Sequence, residues 1–581
     1  MNAMQPLRHN SHILASERGF TMIVTLGVLL VSSLLMVAAF TAANGDIHLT
    51  QTDTAGKRAY YAAQAGISNY AYHLAQDSNY LTYCTTPTPE NPALNPRYKK
   101  STYIPLKSSE LTNRAEVPGS QGQEKYAIQL LPAETSPPGS PGEKEECNKN
   151  NVVGTMIEQK GEAAGTFRLQ STGFAEGRER TIVATFRNLN FVSFVWYSVY
   201  ETGDSVLYPA PQPNCARYFG ERPGICTEFD NYFIEGESVN GPMHTEDHVR
   251  ICGKPTFGRN PNDRIEFGNG KNKKEGEKGY SNEACGAGPP NFKGTLIPPS
   301  KTLSIKPPPG DEELQHIVEK TPTNYEYTGK TEIALTGETM TVTEHKGAGA
   351  TGYPETEEKT KAGVAFPPSG VIYVANSGGC SLYSPFGPSP SYTADTTCGN
   401  VYVHGIYEKP LTIAAENDVV INGNITTKVS GETPTTNAML GLIANNFVRV
   451  FHPLTGAREK KYGKGNKPLG PCLKSENDTT VAPKDLENLE IYAAILAVKH
   501  SFIVDNFDCG TPTLGQIKVY GAIAGLFTNG MTGVFSGKTV LSGYGYNLIY
   551  DNRLQVAEPP HFLNPIQAAW VVQRETLAPS P

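Results

Sequence analysis

RGFTMIVTLGVLLVSSLLMVAAFT, residues 18–41, decides how the rest of this chain is read. From Gly19 to Gly45 there is no charged side chain, and from Phe20 to Ala43 the residues are almost wholly apolar. A bilayer core needs about 20 apolar residues in helical form, so this stretch is expected to cross a membrane once. A core helix of a soluble domain would carry a polar face, and here only scattered Thr and Ser interrupt the run. Arg8 and Arg18 precede the segment, which keeps the N-terminus on the cytoplasmic side. A cleaved secretory signal would have a short apolar region followed by a small-residue cut site, and no A-x-A site follows here.

Outward from this segment the chain turns polar at Asp46 but keeps helical spacing. Ala59, Ala63, Gly66, Ile67, Tyr70 and Leu74 recur every three or four residues and form one apolar face. A membrane helix over residues 20–78 therefore continues into an amphipathic one.

The remainder is large and different in kind. The chain has 581 residues, room for two or three domains, with 57 Gly, 44 Pro and only 18% charged residues. That composition suits a turn-rich β protein. Net charge is −7, so no basic field exists to hold nucleic acid. Mean hydropathy is −0.37, which confines membrane contact to the one segment. All ten cysteines follow it: Cys84, Cys147, Cys215, Cys226, Cys252, Cys285, Cys380, Cys398, Cys472 and Cys509. An even count without C-x-x-C spacing points to disulfides in an oxidising compartment, and the body is placed outside the cytoplasm. Sequential pairing is expected. Cys215–Cys226 and Cys380–Cys398 close short loops, and Cys84–Cys147, Cys252–Cys285 and Cys472–Cys509 follow by order.

The junction Arg18-Gly19-Phe20-Thr21-Met22 before an uncharged span resembles the prepilin cleavage site of type IV pilins and type II secretion pseudopilins. The segment AYYAAQAGISNYAYHL, residues 59–74, resembles the corresponding helix of minor pilins of the PilX kind. The resemblance implies a leader over residues 1–19, cleavage by a prepilin peptidase between Gly19 and Phe20, and methylation of the new N-terminus. It also implies other pilins and the pilus assembly platform as partners, an inner-membrane location, and a place at the cell surface after assembly. Major pilins carry Glu as the fifth mature residue, where it aids docking; here that position is Val24. The departure favours a priming, tip or low-copy role. The expected function is a minor pilin-like subunit, not an enzyme. The alternatives are a membrane-anchored adhesin or polysaccharide-active enzyme, or a secretion pseudopilin.

The fold class expected is α+β. Residues 79–190 form a pilin-like head, with strand candidates in KYAIQLL (125–131), GTFRLQSTGF (165–174) and RERTIVATFRNL (178–189). Ala175-Glu176-Gly177 marks a hairpin turn between Thr166–Phe174 and Arg178–Phe186. Arg168, Arg178 and Arg180 read as its solvated face. Residues 191–581 form a repetitive β domain. Leu411–Ile421, Leu440–Val450 and Ala494–Val504 can be laid over one another as strand, polar corner and strand. Val239–Cys252, Val401–Gly405 and Ile517–Ala524 look like further copies. Such repeats suggest the rungs of a β-solenoid, with a β-sandwich as the alternative. Inserted loops are expected around residues 259–366, with a short helix at Asp311–Lys320 and a hairpin at Tyr325–Val342. The tail beyond Tyr550 is read as a cap on the last rung.

Catalytic and metal-binding patterns are few. Gly533-x-x-x-Gly537-Lys538-Thr539 is one residue short of a phosphate loop and lacks a following helix. His244, Glu246, Asp247 and His248 are the densest group of potential metal ligands, but GPM and CGKP on either side argue for a polar corner between strands. Asp505, Asn506 and Asp508, and Glu416, Asn417 and Asp418, are oxygen-rich corners that could hold calcium; bonding to the turn's own amides explains them more economically. No metal, cofactor or catalytic residue is assigned.

Overall fold

The computed structural model describes residues 18–577 except 77–79, 83–86, 90, 96–107, 134–155, 159–164, 189, 205–212, 272–275, 283–287, 321–324, 346–357, 384–395, 431–432, 437, 453–485, 508–513, 529–531, 537–538, 556 and 566–569. One helix, α1 (Arg18–Gln76), runs for 59 residues without a break, about 90 Å at helical rise. No Pro interrupts it. Its single internal change is in what it touches. Ala59, Ala63, Ile67, Tyr70 and Leu74 are buried, as the three- and four-residue spacing requires, whereas the apolar half before them is exposed.

The buried face lies on an antiparallel sheet of β1 (Ala115–Glu116), β2 (Glu124–Leu131), β3 (Thr166–Ala175) and β4 (Arg178–Asn188). The expected hairpin is present: Thr166 pairs with Arg187 and Ala175 with Arg178. Its two turn residues, Glu176 and Gly177, have φ of +46° and +75°, the primed-turn geometry that matches strand twist. Tyr70 packs edge-on to Tyr80, Phe167 and Phe186, at 5.1, 6.1 and 6.1 Å. Arg178 and Arg180 are exposed as expected. Arg168 is instead partly buried, donating to the Pro132 carbonyl at 2.9 Å.

A fifth strand completes this sheet, and it comes from the far end of the chain. Trp570–Leu577 pairs antiparallel with β4, Leu577 opposite Ile182 and Trp570 opposite Asn188. This corrects the reading of the tail as a cap: the body after Asn188 is an insertion between two neighbouring strands of the helix-bearing sheet. A local pattern of eight residues shows that a strand forms, not which distant edge it joins.

The inserted body consists of large sheets of parallel strands. Across the main one the order is Val371–Ala375, Leu411–Ala415, Leu440–Ala444, Glu490–Ala497, Gln516–Phe527, β5 (Trp196–Tyr200), Met243–Thr245, Arg264–Phe267 and Thr295–Ile297, every neighbour parallel. In-register apolar residues form a buried ladder through it: Ile372, Ile413, Leu442, Ile495, Ile523, Trp196, Met243 and Ile265. A second parallel stack holds Val401–Tyr407, Val419–Thr426, Val448–Val450 and Phe502–Val504. Between the stacks Asn400, Asn417 and Asn446 form a ladder of side-chain amides at 2.6 Å spacing.

The order in space is not the order in sequence. The body enters the main sheet in its middle, at β5, and finishes beside that same strand: Ile523 pairs with Trp196, and the Tyr550 hydroxyl donates to the Val192 carbonyl at 3.0 Å. Entry and exit therefore lie together, as an inserted domain requires.

Further expectations are adjusted. Leu411–Ile421 and Leu440–Val450 superpose in the register expected, but Ala494 stands opposite Gly441, not Leu440. The third corner holds one extra residue, since Val448 is opposite Phe502. The segment expected as loop around 259–366 contains the strands Arg264–Phe267, Tyr280–Asn282, Asn291–Phe292 and Thr295–Ile297. Strands this short show no periodicity of their own and exist because parallel neighbours pair with them. The helix α2 (Glu312–Glu319) is as expected, whereas the hairpin is Thr331–Gly337/Thr339–His345 and Glu326–Thr328 pairs instead in parallel with Val371–Ala375.

Candidate functional site

The candidate site is the N-terminal half of α1. Thr21–Thr41 has a mean hydropathy of 2.5 and none of it is buried; it is the one helix among the described residues long and apolar enough to cross a membrane. Its few hydroxyls are turned inward on the helix itself. Thr25 donates to the Thr21 carbonyl at 2.9 Å, Ser32 to Val28 at 2.6 Å, Ser33 to Leu30 at 2.9 Å and Thr41 to Ala38 at 2.9 Å. Hydroxyls satisfied in this way leave an outer surface with no polar demand, which is what lipid or an apolar helix bundle imposes. Val24 is on this surface, 46% exposed. Gly19 and Phe20 are in the first turn of α1, and residues 1–17 lie outside the described residues. An apolar run this exposed has to be covered by something outside the fold.

The cysteine expectations that the described residues reach are met at two pairs. Cys215–Cys226 and Cys380–Cys398 are disulfides. Cys252 is also disulfide-bonded. Cys84, Cys147, Cys285, Cys472 and Cys509 lie outside the described residues.

The acid–histidine group is internal. On the strand Met243–Thr245 and its continuation, His244 and Glu246 share a side, as residues two apart do. His244 Nδ1 meets Glu266 Oε2 at 2.9 Å and its Nε2 meets Glu246 Oε1 at 3.1 Å. Burial opposes charge on this ring, but hydrogen bonds and charge from Glu246 and Glu266 prevail and raise its pKa to about 9. Burial likewise works against the Glu266 carboxylate, yet Arg264 and His244 hold its pKa far below the usual range. The Glu246 carboxylate accepts from the Ile305 amide and so anchors the following segment. Asp247 points elsewhere: it accepts from the amides of Glu201, Phe219 and His248 at 3.0, 2.8 and 2.8 Å and pairs with Arg222. His248 meets Asn269 at 2.7 Å. The four residues thus go to two separate networks, in which both ring nitrogens of His244 and both carboxylate oxygens of Asp247 are bonded within the protein. Glu266, Arg264 and Arg222 were not anticipated; only the side-sharing of His244 and Glu246 was readable.

The oxygen-rich corners follow the same logic. Arg449 Nε donates to Asp418 at 2.8 Å, and its Nη1 donates to both Asp505 oxygens at 3.0 and 2.9 Å, all three residues being buried. Asp418 also accepts from the Phe447 amide at 3.0 Å. An arginine shared between successive corners occupies the oxygens that calcium would need. Asn417 belongs to the amide ladder, Glu416 accepts from the Asn376 amide at 2.7 Å, the Asn506 amide donates to the His452 carbonyl at 2.7 Å, and Asp508 lies outside the described residues. Gly533 and Thr539 are on the two arms of an antiparallel hairpin, a geometry that turns no row of amides toward a phosphate.

No protein-family model and no curated protein matches the chain. Among the solved structures that match it is a pilin. That structure is the competence-associated pilin ComZ from Thermus thermophilus, at 12% identity over 90% of this chain and 98% of that one, with a TM-score of 0.27.

Proposed function

We propose that this chain is a minor type IV pilin-like subunit that is held in the inner membrane, incorporated into or priming a pilus-type filament, and displays a large β head outside the cell. The observation that carries this reading is the division of α1. One unbroken helix exposes apolar side chains over Thr21–Thr41 and packs Ala59–Leu74 on an antiparallel sheet. A subunit of this shape is stable in lipid before assembly, and the same apolar surface can be buried among other such helices afterwards.

The finer reading follows from it. A prepilin peptidase removes residues 1–19, Phe20 becomes the methylated N-terminus, and other pilins and the assembly platform are the partners. Val24 offers no carboxylate to the amine of a neighbouring subunit, and an unpaired charge in an apolar environment costs several kcal/mol. The inserted head, which is far larger than its supporting sheet, would also crowd a regular lattice. Both considerations favour low copy number at one end of a filament. The head is read as a β-solenoid, supported by parallel pairing of successive strand–corner–strand copies, where a sandwich would pair its strands antiparallel. Its role is display and not catalysis, a reading favoured by the internal bonding of His244, Asp247, Asp418 and Asp505.

The test is mass spectrometry of the protein from its native host. A mature chain beginning at N-methyl-Phe20 is the expected result, and any other start overturns the pilin reading.

A further inference from the structure

Where the strand Gly545–Tyr550 runs beside the segment Tyr232–Val239, the two are joined at one place. Asn240 and Ile549 form a parallel bridge, and the Tyr550 amide donates to the Asn240 carbonyl at 3.2 Å. From there the walls part and enclose a solvent-open cleft of about 630 Å³, within the range of sites that take small ligands. The topology makes this gap: Gln516–Phe527 pairs with Gly545–Tyr550 along its first half and with β5 along its second, so two segments diverge from one strand.

The lining is mixed in a particular way. Trp196 and Tyr546 meet edge-to-face, with ring centroids 6.3 Å apart, and Tyr232 lies on the opposite wall. The rings are held in place before any ligand arrives. The Trp196 indole donates to Glu201 at 3.3 Å, and the Arg250 guanidinium covers one face of Tyr232 at 4.3 Å. Gln516 and Asn547 line the cleft, and their side-chain amides make no hydrogen bond with the protein among the described residues. Glu237 is at the rim, with one carboxylate oxygen accepting from the Ile234 amide at 2.8 Å. Among the described lining residues there is no Lys, Arg or His.

We propose that this cleft binds a neutral oligosaccharide. A sugar ring offers a C–H face that stacks on aromatic carbon and an edge of hydroxyls, each both donor and acceptor. Side-chain amides without protein partners, beside the half-buried ring of Tyr232 and in front of the buried Trp196, complement both surfaces. Two acidic residues, Glu235 and Glu237, with no cation to balance them among the described lining residues, disfavour phosphate, sulfate and carboxylate ligands. Fixed side chains keep the ordering cost of binding low. The proposal concerns binding alone and stands whether or not the head is carried on a filament.

Full-length protein in detergent micelles is applied to an array of neutral, sialylated and sulfated oligosaccharides and of unglycosylated peptides. The best neutral saccharide is then titrated while Trp fluorescence is followed; the chain has two Trp, and Trp196 lines the cleft. The expected result is retention of neutral saccharides with a saturable fluorescence change. Replacing Gln516→Ala and Asn547→Ala together should weaken binding about tenfold or more with an unchanged melting temperature. Ser109→Ala, in a separate groove beside the β3–β4 turn, should leave binding unchanged. Should the double variant fail to fold, hydrogen-exchange protection of residues 232–239 and 545–548 by the saccharide in the unaltered protein supports the proposal, and lack of that protection overturns it. Binding of charged saccharides or peptides alone, no saccharide binding at all, or a folded double variant that binds as the unaltered protein does would each overturn it.

Discussion

Gly173 of β3 touches the backbone of Ala59 in α1 so closely that a Cβ on the glycine would stand 2.0 Å from the Ala59 carbonyl oxygen and 2.3 Å from the Ala63 amide nitrogen. Helix and sheet meet here backbone to backbone, and neither side has a flexible atom to give way. Gly173→Ala should therefore force α1 off the sheet, at a cost of about 1–3 kcal/mol or more. Thermal melts of detergent-solubilised protein, with limited proteolysis within residues 50–76, measure it. An unchanged melt would mean that the helix does not rest on β3 in this way.

The His244 network sets a pH dependence. An ordinary histidine titrates near pH 6.5, and this one is raised to about 9 with the folded state holding the proton. The stabilisation is thus fully present below about pH 6.5 and is lost as pH rises through about 9. The head should lose on the order of 3 kcal/mol across that window from this group. Denaturant melts at several pH values test this, with His244→Gln as the comparison; a variant with the same alkaline slope would assign the effect to another group.

Arg449 is the shared cation of two buried carboxylates. Arg449→Ala leaves Asp418 and Asp505 buried without it, and breaking a buried pair from one side typically costs about 3–5 kcal/mol. Replacing all three, with Met at 449 and Asn at 418 and 505, should recover much of the loss. The exposed Lys57–Asp53 pair at 2.7 Å should show no measurable effect when Lys57 becomes Ala, because solvent screens it. Differential scanning fluorimetry separates the cases, and a loss at Arg449 no larger than at Lys57 would contradict the burial of the ladder.

Removal of residues 570–581 takes the outer strand from β4. The exposed edge, with Ile182, Ala184 and Phe186 behind it, would offer unpaired amides to other chains. Faster hydrogen exchange over residues 182–188 and higher-order species in size-exclusion chromatography are expected. A truncated chain that exchanges and elutes like the full one would show that the tail adds nothing to the sheet.

How much of this was legible in advance varies by element. The apolar run from Phe20, the buried spacing Ala59 to Leu74, the turn at Glu176-Gly177 and the superposition of Leu411–Ile421 on Leu440–Val450 all rest on periodicities within a few residues. The one-residue slip at Ala494 escaped because an extra corner residue between Val498 and Ser501 does not disturb either flanking apolar run. The strands between Arg264 and Ile297 escaped because each is too short to show a period.

By itself, then, the sequence determined that a long helix with one apolar and one amphipathic half precedes a repetitive β body, since hydrophobic spacing acts locally. Only the tertiary structure decided that Trp570–Leu577 returns to β4, that β5 enters the stack beside Gln516–Phe527, and that Glu266 meets the other side of His244. Those are pairings between strands that do not follow one another in the chain. Their partners are chosen by which edges and which charges remain unsatisfied once the neighbouring strands have stacked, a condition no short window of residues contains.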